Sequence, residues 1–353
     1  MEPEKKGKYA SSPEWSNITP IPLNDGSDSG AQPLATIAYA PEYLEATSYL
    51  RAVMADNEMS ERALALTEDI IKMNPAHYTV WNYRAKILFA LEKDLLDELD
   101  WLNGVSLKYL KNYQIWYSPS IYTIPSTNGE RHHRQVLISS RQHFPTLPTG
   151  EPAFLMSMFE QDSKNYHVWT YRHWLVRHFR LWDSPQELSD VESLLDSDVR
   201  NNSAWNHRFM LKFGPRDDEP AGLPNSTTLP PEQKGRLDVV DEEVVDAELD
   251  YAKGKIVLAP QNRSPWAYAR GVLRAAGRGV GEWLSFVSQF VGAEAESVKS
   301  THALEWLVDV YLEDSEHEKK EEAVRLLNLL KERYDPIRKN YWDYRIRMVE
   351  GVV

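Results

Sequence analysis

A short phrase built around one tryptophan recurs six times along the chain, and this repetition constrains the fold more than any other feature. In its fullest form the phrase reads Asn-x-x-x-Trp-x-x-Arg inside an apolar run. A period in the mid-thirties without strand-like alternation is typical of stacked helical hairpins. We therefore predict an all-α fold, a right-handed α-α superhelix that forms a solenoid of about seven helical hairpins. The six tryptophans are Trp81, Trp116, Trp169, Trp205, Trp266 and Trp342.

The second copy of the phrase is interrupted by fifteen residues, "YSPSIYTIPSTNGER", at positions 117–131. This segment contains two prolines, which cannot continue a helix. Without it, the 53-residue step from Trp116 to Trp169 becomes 38, and the text "KNYQIWHHRQVLI" reads as one continuous helix. We interpret residues 117–131 either as an exposed loop or as an unspliced or misannotated insertion.

The remaining chain divides into a tail and a repeat region. Residues 1–40 are rich in Pro, Ser, Gly and Asp, which predicts an extended or disordered N-terminal segment. Residues 41–353 form the predicted solenoid, with loop insertions at 117–131 and at 214–236, where five prolines and three glycines occur. Ser60 precedes an apolar-periodic run and is predicted to cap the helix that follows it.

Composition excludes several classes of function. The 40 basic and 53 acidic residues leave a net charge of -13, which argues against sequence-independent binding of nucleic acid. Because the chain has no cysteine, it has no disulfides and no thiolate metal ligands. We find no secretory signal and no apolar run long enough for a membrane span, so we expect a soluble, cytoplasmic protein.

Most of the conspicuous side chains are expected to be structural. Trp and Arg three residues apart share one face of a helix, so we assign no chemistry to the tryptophans or to their arginines. Adjacent histidines diverge on a helix, so His132 and His133 are predicted to be solvated rather than to bind a metal. The acidic run at residues 238–250 is predicted to form the solvated face of a helix. The arginines that stand three residues after a repeat tryptophan, and to which we assign no chemistry, are Arg84, Arg172, Arg208 and Arg345.

Several stretches, "EWSNITPIPLNDG", "YLRAVMADNEMSERALALTEDIIKMNPAHYTVW", "KNYHVW" and "DVRNNSAWNHR", carry a specific resemblance. From about residue 14 to residue 350, the chain resembles the alpha subunit shared by protein farnesyltransferase and geranylgeranyltransferase type I. The resemblance implies a heterodimer with a β subunit that holds the catalytic zinc, with magnesium required for farnesyl transfer. The implied reaction joins a prenyl group, from a prenyl diphosphate, to the cysteine of C-terminal Cys-a-a-X proteins such as small GTPases.

The same resemblance assigns roles to particular residues. Lys111 of "KNYQIW" matches a lysine that contacts the diphosphate, whose negative charge grows as it leaves. Tyr166 and His167 of "KNYHVW" match residues beside the diphosphate and the first isoprene unit. These three residues are the expected catalytic set.

Three more residues are expected to bind substrate. Gln114 matches a glutamine that receives the terminal carboxylate of the peptide, and Tyr78 lines the same region. Tyr113 follows Lys111 in the hydrogen-bonding patch at the diphosphate. Lys164 occupies the position of Lys111 in the next copy and is expected to be structural. An alternative interpretation is that all of these residues only cap helix starts at hairpin turns.

Two other functions remain open: the alpha subunit of Rab geranylgeranyltransferase, and a helical-repeat scaffold without catalytic duty. The "KNY" phrases at residues 111–113 and 164–166 and the N-terminal "PIPLNDG" favour a type I alpha subunit, because a scaffold would not need them.

Overall fold

The computed structural model describes residues 7–23, 37–112, 115, 133–214, 216, 241–292, 297–313 and 317–351. Within these ranges the protein contains fifteen α-helices and no β-strand, apart from one isolated bridge between Val291 and Val298. The described residues form two compact units, one ending at Phe179 and the other beginning at Arg180. The predicted all-α class is confirmed.

The first unit is built from seven helices joined mostly by short turns. Ser60 caps the second of them, because its hydroxyl oxygen accepts the backbone N–H of Ala63 at 3.2 Å, as the sequence predicted. The apolar side chains of Leu66 and Ile70, one turn apart, are buried along that helix. The seven helices are α1 (Pro41–Ala55), α2 (Glu61–Met73), α3 (Tyr78–Ala90), α4 (Leu95–Lys108), α5 (His133–Ile138), α6 (Glu151–Gln161) and α7 (Tyr166–Phe179).

The second unit contains the remaining eight helices of the described chain. The sequence "GRGVG" at residues 277–281 follows the fourth of them, and there Gly277 adopts a left-handed φ of 68°. The eight helices are α8 (Pro185–Ser197), α9 (Asn202–Phe213), α10 (Glu242–Leu258), α11 (Arg263–Ala275), α12 (Leu284–Val287), α13 (Thr301–Glu313), α14 (His317–Leu329) and α15 (Lys339–Glu350).

The repeat tryptophans form the core, as predicted. The five that the structure describes are at most 3% exposed, whereas Trp116 lies outside the described residues. Each of the five donates its indole N–H to a backbone carbonyl oxygen in the turn before its helix, as in Trp81 to Pro75 at 2.8 Å and Trp169 to Ser163 at 2.9 Å. The indole therefore fills the interior and also fixes the turn that precedes it.

A buried glutamate connects successive copies of the phrase. The carboxylate of Glu151 binds the guanidinium of Arg134 through two hydrogen bonds of 2.8 and 2.6 Å. It also accepts the hydroxyl of Tyr171, from the next copy, at 2.7 Å. Charged groups in the interior are tolerated when they are paired and hydrogen-bonded in this way. The same arrangement joins Arg84, Glu98 and His133, and again Arg208, Glu248 and Tyr268.

One expectation about these residues is therefore wrong, and a second holds except at one residue. His133 is not solvated but 1% exposed, and its Nε2 lies 2.8 Å from Glu98 Oε1; His132 lies outside the described residues. The acidic run is solvated over much of α10, yet Glu248 points inward because Arg208 and Tyr268 bind it.

The structure describes residues 7–23 and 37–40 of the N-terminal segment. Over residues 7–23 it packs on α1 and α2, with Tyr9 and Trp15 each 5% exposed. Both rings contact the ring of Tyr49, and the Tyr9 hydroxyl donates to Asp69 Oδ2 at 2.7 Å. Two aromatic side chains thus anchor this segment on the first two helices. The insertion at 117–131 and nearly all of 214–236 lie outside the described residues.

Candidate functional site

The candidate residues that the structure describes lie at the starts of two helices and in one turn of the first unit. Tyr78 is the first residue of α3 and 51% exposed, and Tyr166 is the first residue of α7 and 63% exposed. Lys111 is exposed in the turn that follows α4. Tyr113 and Gln114 lie outside the described residues. The exposed rings contrast with the buried aromatic core and leave polar groups accessible to a ligand.

Asn165 brings two of these positions together. Its side-chain Nδ2 donates to the backbone carbonyl oxygen of Leu110 at 2.8 Å. Its Oδ1 accepts the backbone N–H of His167 at 3.0 Å, which caps the first turn of α7. The residue before Lys111 is thus bonded to the residue before Tyr166.

Asn112 makes the corresponding connection to the preceding turn. Its Nδ2 donates to the carbonyl oxygen of Pro75 at 2.7 Å, the same oxygen that accepts the indole of Trp81. The turn that carries Lys111 is therefore bonded on one side to the turn before Tyr78 and on the other to the turn before Tyr166. The structure brings together the three turns that the sequence singled out.

Charge is unevenly distributed among the candidate residues that the structure describes. Burial lowers the pKa of the half-buried His167 below its ordinary value of 6.5, so its imidazole is neutral at pH 7. The ring lies edge-on to that of Tyr166, with centroids 5.8 Å apart. Among the candidate residues that the structure describes, the positive charge at neutral pH is therefore that of Lys111. One ammonium group, one neutral imidazole and two phenolic hydroxyls suit the binding of an anion by hydrogen bonds.

Two features are absent from the described part of the chain, a cluster of metal ligands and a membrane-spanning helix. No group of three or more His, Asp or Glu residues there is placed to hold a metal ion. None of the helices in those ranges has the length and apolar character needed to cross a bilayer.

The two bridging asparagines had no assigned role in the sequence reasoning. The available signal was positional, since asparagine stands four residues before the tryptophan in four of the six copies. The asparagine recurs visibly in the sequence, but its side chain binds a backbone carbonyl of another repeat. Because every residue has such a carbonyl, the sequence does not show which one is bound. The four are Asn112, Asn165, Asn201 and Asn262.

Comparison with known proteins defines the class. The family described as "Protein prenyltransferase alpha subunit repeat" matches residues 60–91, 148–179 and 184–211. The protein farnesyltransferase/geranylgeranyltransferase type-1 subunit alpha of Candida albicans is 36% identical over 343 residues, which are 96% of this chain and 98% of that protein. The subunit of the same description from Dictyostelium discoideum is 29% identical and covers 97% of this chain and 94% of its own.

A solved structure gives the same result for the fold. A chain of Candida albicans protein geranylgeranyltransferase-I complexed with GGPP matches with a TM-score of 0.77 and 35% identity, covering 96% of this chain and 99% of that chain. This chain therefore belongs to the family of protein farnesyltransferase/geranylgeranyltransferase type-1 alpha subunits. The predicted helical-repeat fold and the predicted prenyltransferase alpha subunit are both confirmed.

Proposed function

We propose that this chain pairs with a β subunit and that the heterodimer transfers a farnesyl or geranylgeranyl group from a prenyl diphosphate to Cys-a-a-X proteins such as small GTPases. The observation that supports this most is the hydrogen bond between the turn of the exposed Lys111 and the turn before Tyr166 and His167, in a chain that matches type-1 alpha subunits over nearly their full length. We place the enzyme in the cytoplasm, where small GTPases would meet it.

The reaction explains the composition of the cluster. A bond forms between the cysteine sulfur and the first carbon of the prenyl chain, the thiol loses its proton, and the carbon–oxygen bond to the diphosphate breaks. Negative charge then grows on the diphosphate oxygens, and we assign the ammonium of Lys111 to stabilise it. Tyr166 and the neutral His167 add hydrogen bonds to the diphosphate without adding a charge of their own.

The peptide side of the reaction falls to the neighbouring positions. Tyr78 and Gln114 are assigned to the peptide, with the Gln114 amide donating to its terminal carboxylate, whereas Tyr113 is assigned to the diphosphate beside Lys111. An amide suits this role because it donates two hydrogen bonds without carrying charge.

The metals belong to the partner in this proposal. Because the described part of this chain offers no cluster of metal ligands, the zinc is assigned to the β subunit, where it would hold the substrate cysteine as a thiolate. Magnesium would accompany the prenyl diphosphate in farnesyl transfer. The task of this chain is to orient the diphosphate and stabilise its charge as it departs.

Reconstitution tests the proposal directly. The chain is co-expressed with the farnesyltransferase β subunit or with the geranylgeranyltransferase type I β subunit, and each purified complex is assayed for prenyl transfer to a Cys-a-a-X peptide. We expect a stable heterodimer and transfer without an escort protein. Transfer that occurs only with a Rab substrate and its escort would favour the Rab enzyme, and a stable complex with no transfer would favour a scaffold.

A further inference from the structure

We propose that Asn112 and Asn165 are positioning residues for prenyl transfer, which hold the turns carrying Tyr78, Lys111 and Tyr166 in one fixed register. The inference rests on the proposed function, because it assigns these asparagines an effect on catalysis through Lys111 and its neighbours. Neither asparagine needs to touch the substrate for this effect.

The geometry of Asn165 carries the argument. Its side chain is 4% exposed and both of its polar atoms are used, one on the carbonyl of Leu110 and one on the N–H of His167. A shift of either turn would break a hydrogen bond in a site closed to water, and a polar group left unpaired there is costly. One amide thereby fixes both the turn that carries Lys111 and the first turn of the helix that begins at Tyr166.

The same bond occurs in the second unit, away from the candidate residues. Asn262 donates through Nδ2 to the carbonyl oxygen of Val199 at 2.7 Å and accepts the N–H of Ser264 at 3.2 Å. In the following repeat, Ser300 donates its hydroxyl to the carbonyl of Pro260 at 2.6 Å. The bond is therefore a general link between repeats, which at Asn112 and Asn165 joins turns that carry the candidate groups.

These parallels supply matched variants. Asn262→Ala removes the same two hydrogen bonds as Asn165→Ala but disturbs no candidate residue. Asn165→Ser retains a short donor and acceptor, as Ser300 does naturally. Asn165→Asp retains the acceptor for His167 but has no proton for the carbonyl of Leu110.

The test measures single-turnover prenyl transfer and thermal unfolding in the purified heterodimer. We expect Asn165→Ala and Asn165→Asp to slow transfer on the order of tenfold or more, since displacements of about 1 Å can cost about a hundredfold in rate. Asn165→Ser should recover most of the rate. Asn262→Ala should lower the unfolding temperature as much as Asn165→Ala does while leaving the transfer rate nearly unchanged.

A double substitution shows whether Asn165 acts through Lys111. If it does, Asn165→Ala slows transfer by a smaller factor in the Lys111→Ala background than in the native protein, because one of the positioned groups is already absent. Equal rates for Asn165→Ala and Asn262→Ala, or independent effects that multiply in the double variant, would overturn the inference. If Lys111→Ala alone leaves the rate unchanged, the proposed role of Lys111 fails, which is a separate result. If Asn165→Ala does not assemble, the transfer rates of Asn165→Ser and Asn165→Asp test the inference instead. A faster rate for Asn165→Ser would support it, and equal rates would overturn it.

Discussion

His133 and Glu98 are bonded in the interior of the first unit, with 2.8 Å between His133 Nε2 and Glu98 Oε1. When residues 117–131 are left out of the count, His133 stands two positions after Trp116. Tyr171 and Tyr268 stand two positions after their own tryptophans, and each binds a buried glutamate in the same way. The repeat therefore resumes in its original frame after the interruption.

Deleting residues 117–131 is expected to leave heterodimer assembly and prenyl transfer intact. The deletion joins Trp116 to His132 and keeps His133 and Arg134 at their repeat positions. Co-purification with the β subunit and a transfer assay measure the outcome.

The control for this deletion is one residue shorter. Removing only residues 117–130 turns the following helix by about 100° relative to Trp116, since a helix has about 3.6 residues per turn. We expect this variant to be poorly folded. Loss of assembly in the fifteen-residue deletion would instead make the segment an essential structural element.

Glu98→Gln should destabilise the protein strongly at neutral pH. It leaves the buried guanidinium of Arg84 without its charged partner, and breaking a buried pair typically costs about 3–5 kcal/mol. Glu68→Gln is the control, because its pair with Lys72 is partly exposed and should contribute less than about 1 kcal/mol. Thermal unfolding of the heterodimer at pH 7 measures both.

The same substitution should change the response to acid. Burial alone would raise the pKa of Glu98, but His133 and Arg84 outweigh it and hold this pKa below the ordinary value of 4.5. The ionised carboxylate therefore stabilises the fold above pH 4.5, and this stabilisation is lost as pH falls through the folded-state pKa. The stability difference between native protein and Glu98→Gln should shrink below pH 4.5. A constant difference from pH 7 to pH 3 would show that the charge of Glu98 is not involved.

Trp15→Ala should loosen the first hairpin. The indole of Trp15 lies 5.4 Å from the Tyr49 ring and 5.1 Å from the Arg62 guanidinium, measured to ring centroids, and removing a buried indole typically costs about 3–5 kcal/mol. We expect faster hydrogen exchange throughout α1. Ile37→Ala, at a side chain 73% exposed, should leave exchange in α1 unchanged. If the two variants exchange alike, residues 7–23 do not stabilise the hairpin.

The sequence predicted the features that recur and failed on those that depend on distant partners. Tryptophan spacing gave the helical repeat, and the cap at Ser60 could be recognised from neighbouring residues alone. The burial of His133 depends on Glu98, 35 positions away, and the bridge from Asn165 depends on a carbonyl 55 positions away. Composition likewise did not predict that residues 7–23 pack on α1 and α2. Two aromatic side chains change the average composition of the segment very little, yet they anchor it in the structure.

His167 should titrate below its ordinary value of 6.5, because burial disfavours the charged imidazolium. The chemical shift of its imidazole, followed against pH in the heterodimer labelled at histidine, gives the midpoint, and His167→Gln assigns the signal. A midpoint at or above 6.5 would mean that His167 carries charge near neutral pH, and Lys111 would then not be the sole cation among the described candidates.

The central claim is that Lys111 stabilises the departing diphosphate, and single-turnover prenyl transfer by Lys111→Ala tests it most directly. An interaction that strengthens as charge develops acts on the chemical step more than on binding. We predict that Lys111→Ala slows transfer on the order of a hundredfold, with heterodimer assembly and prenyl diphosphate affinity much less affected. Lys164→Ala, at the same position of the next copy, should transfer at nearly the native rate. If the two variants behave alike, or if Lys111→Ala only weakens assembly, Lys111 is a structural repeat residue and the account is contradicted.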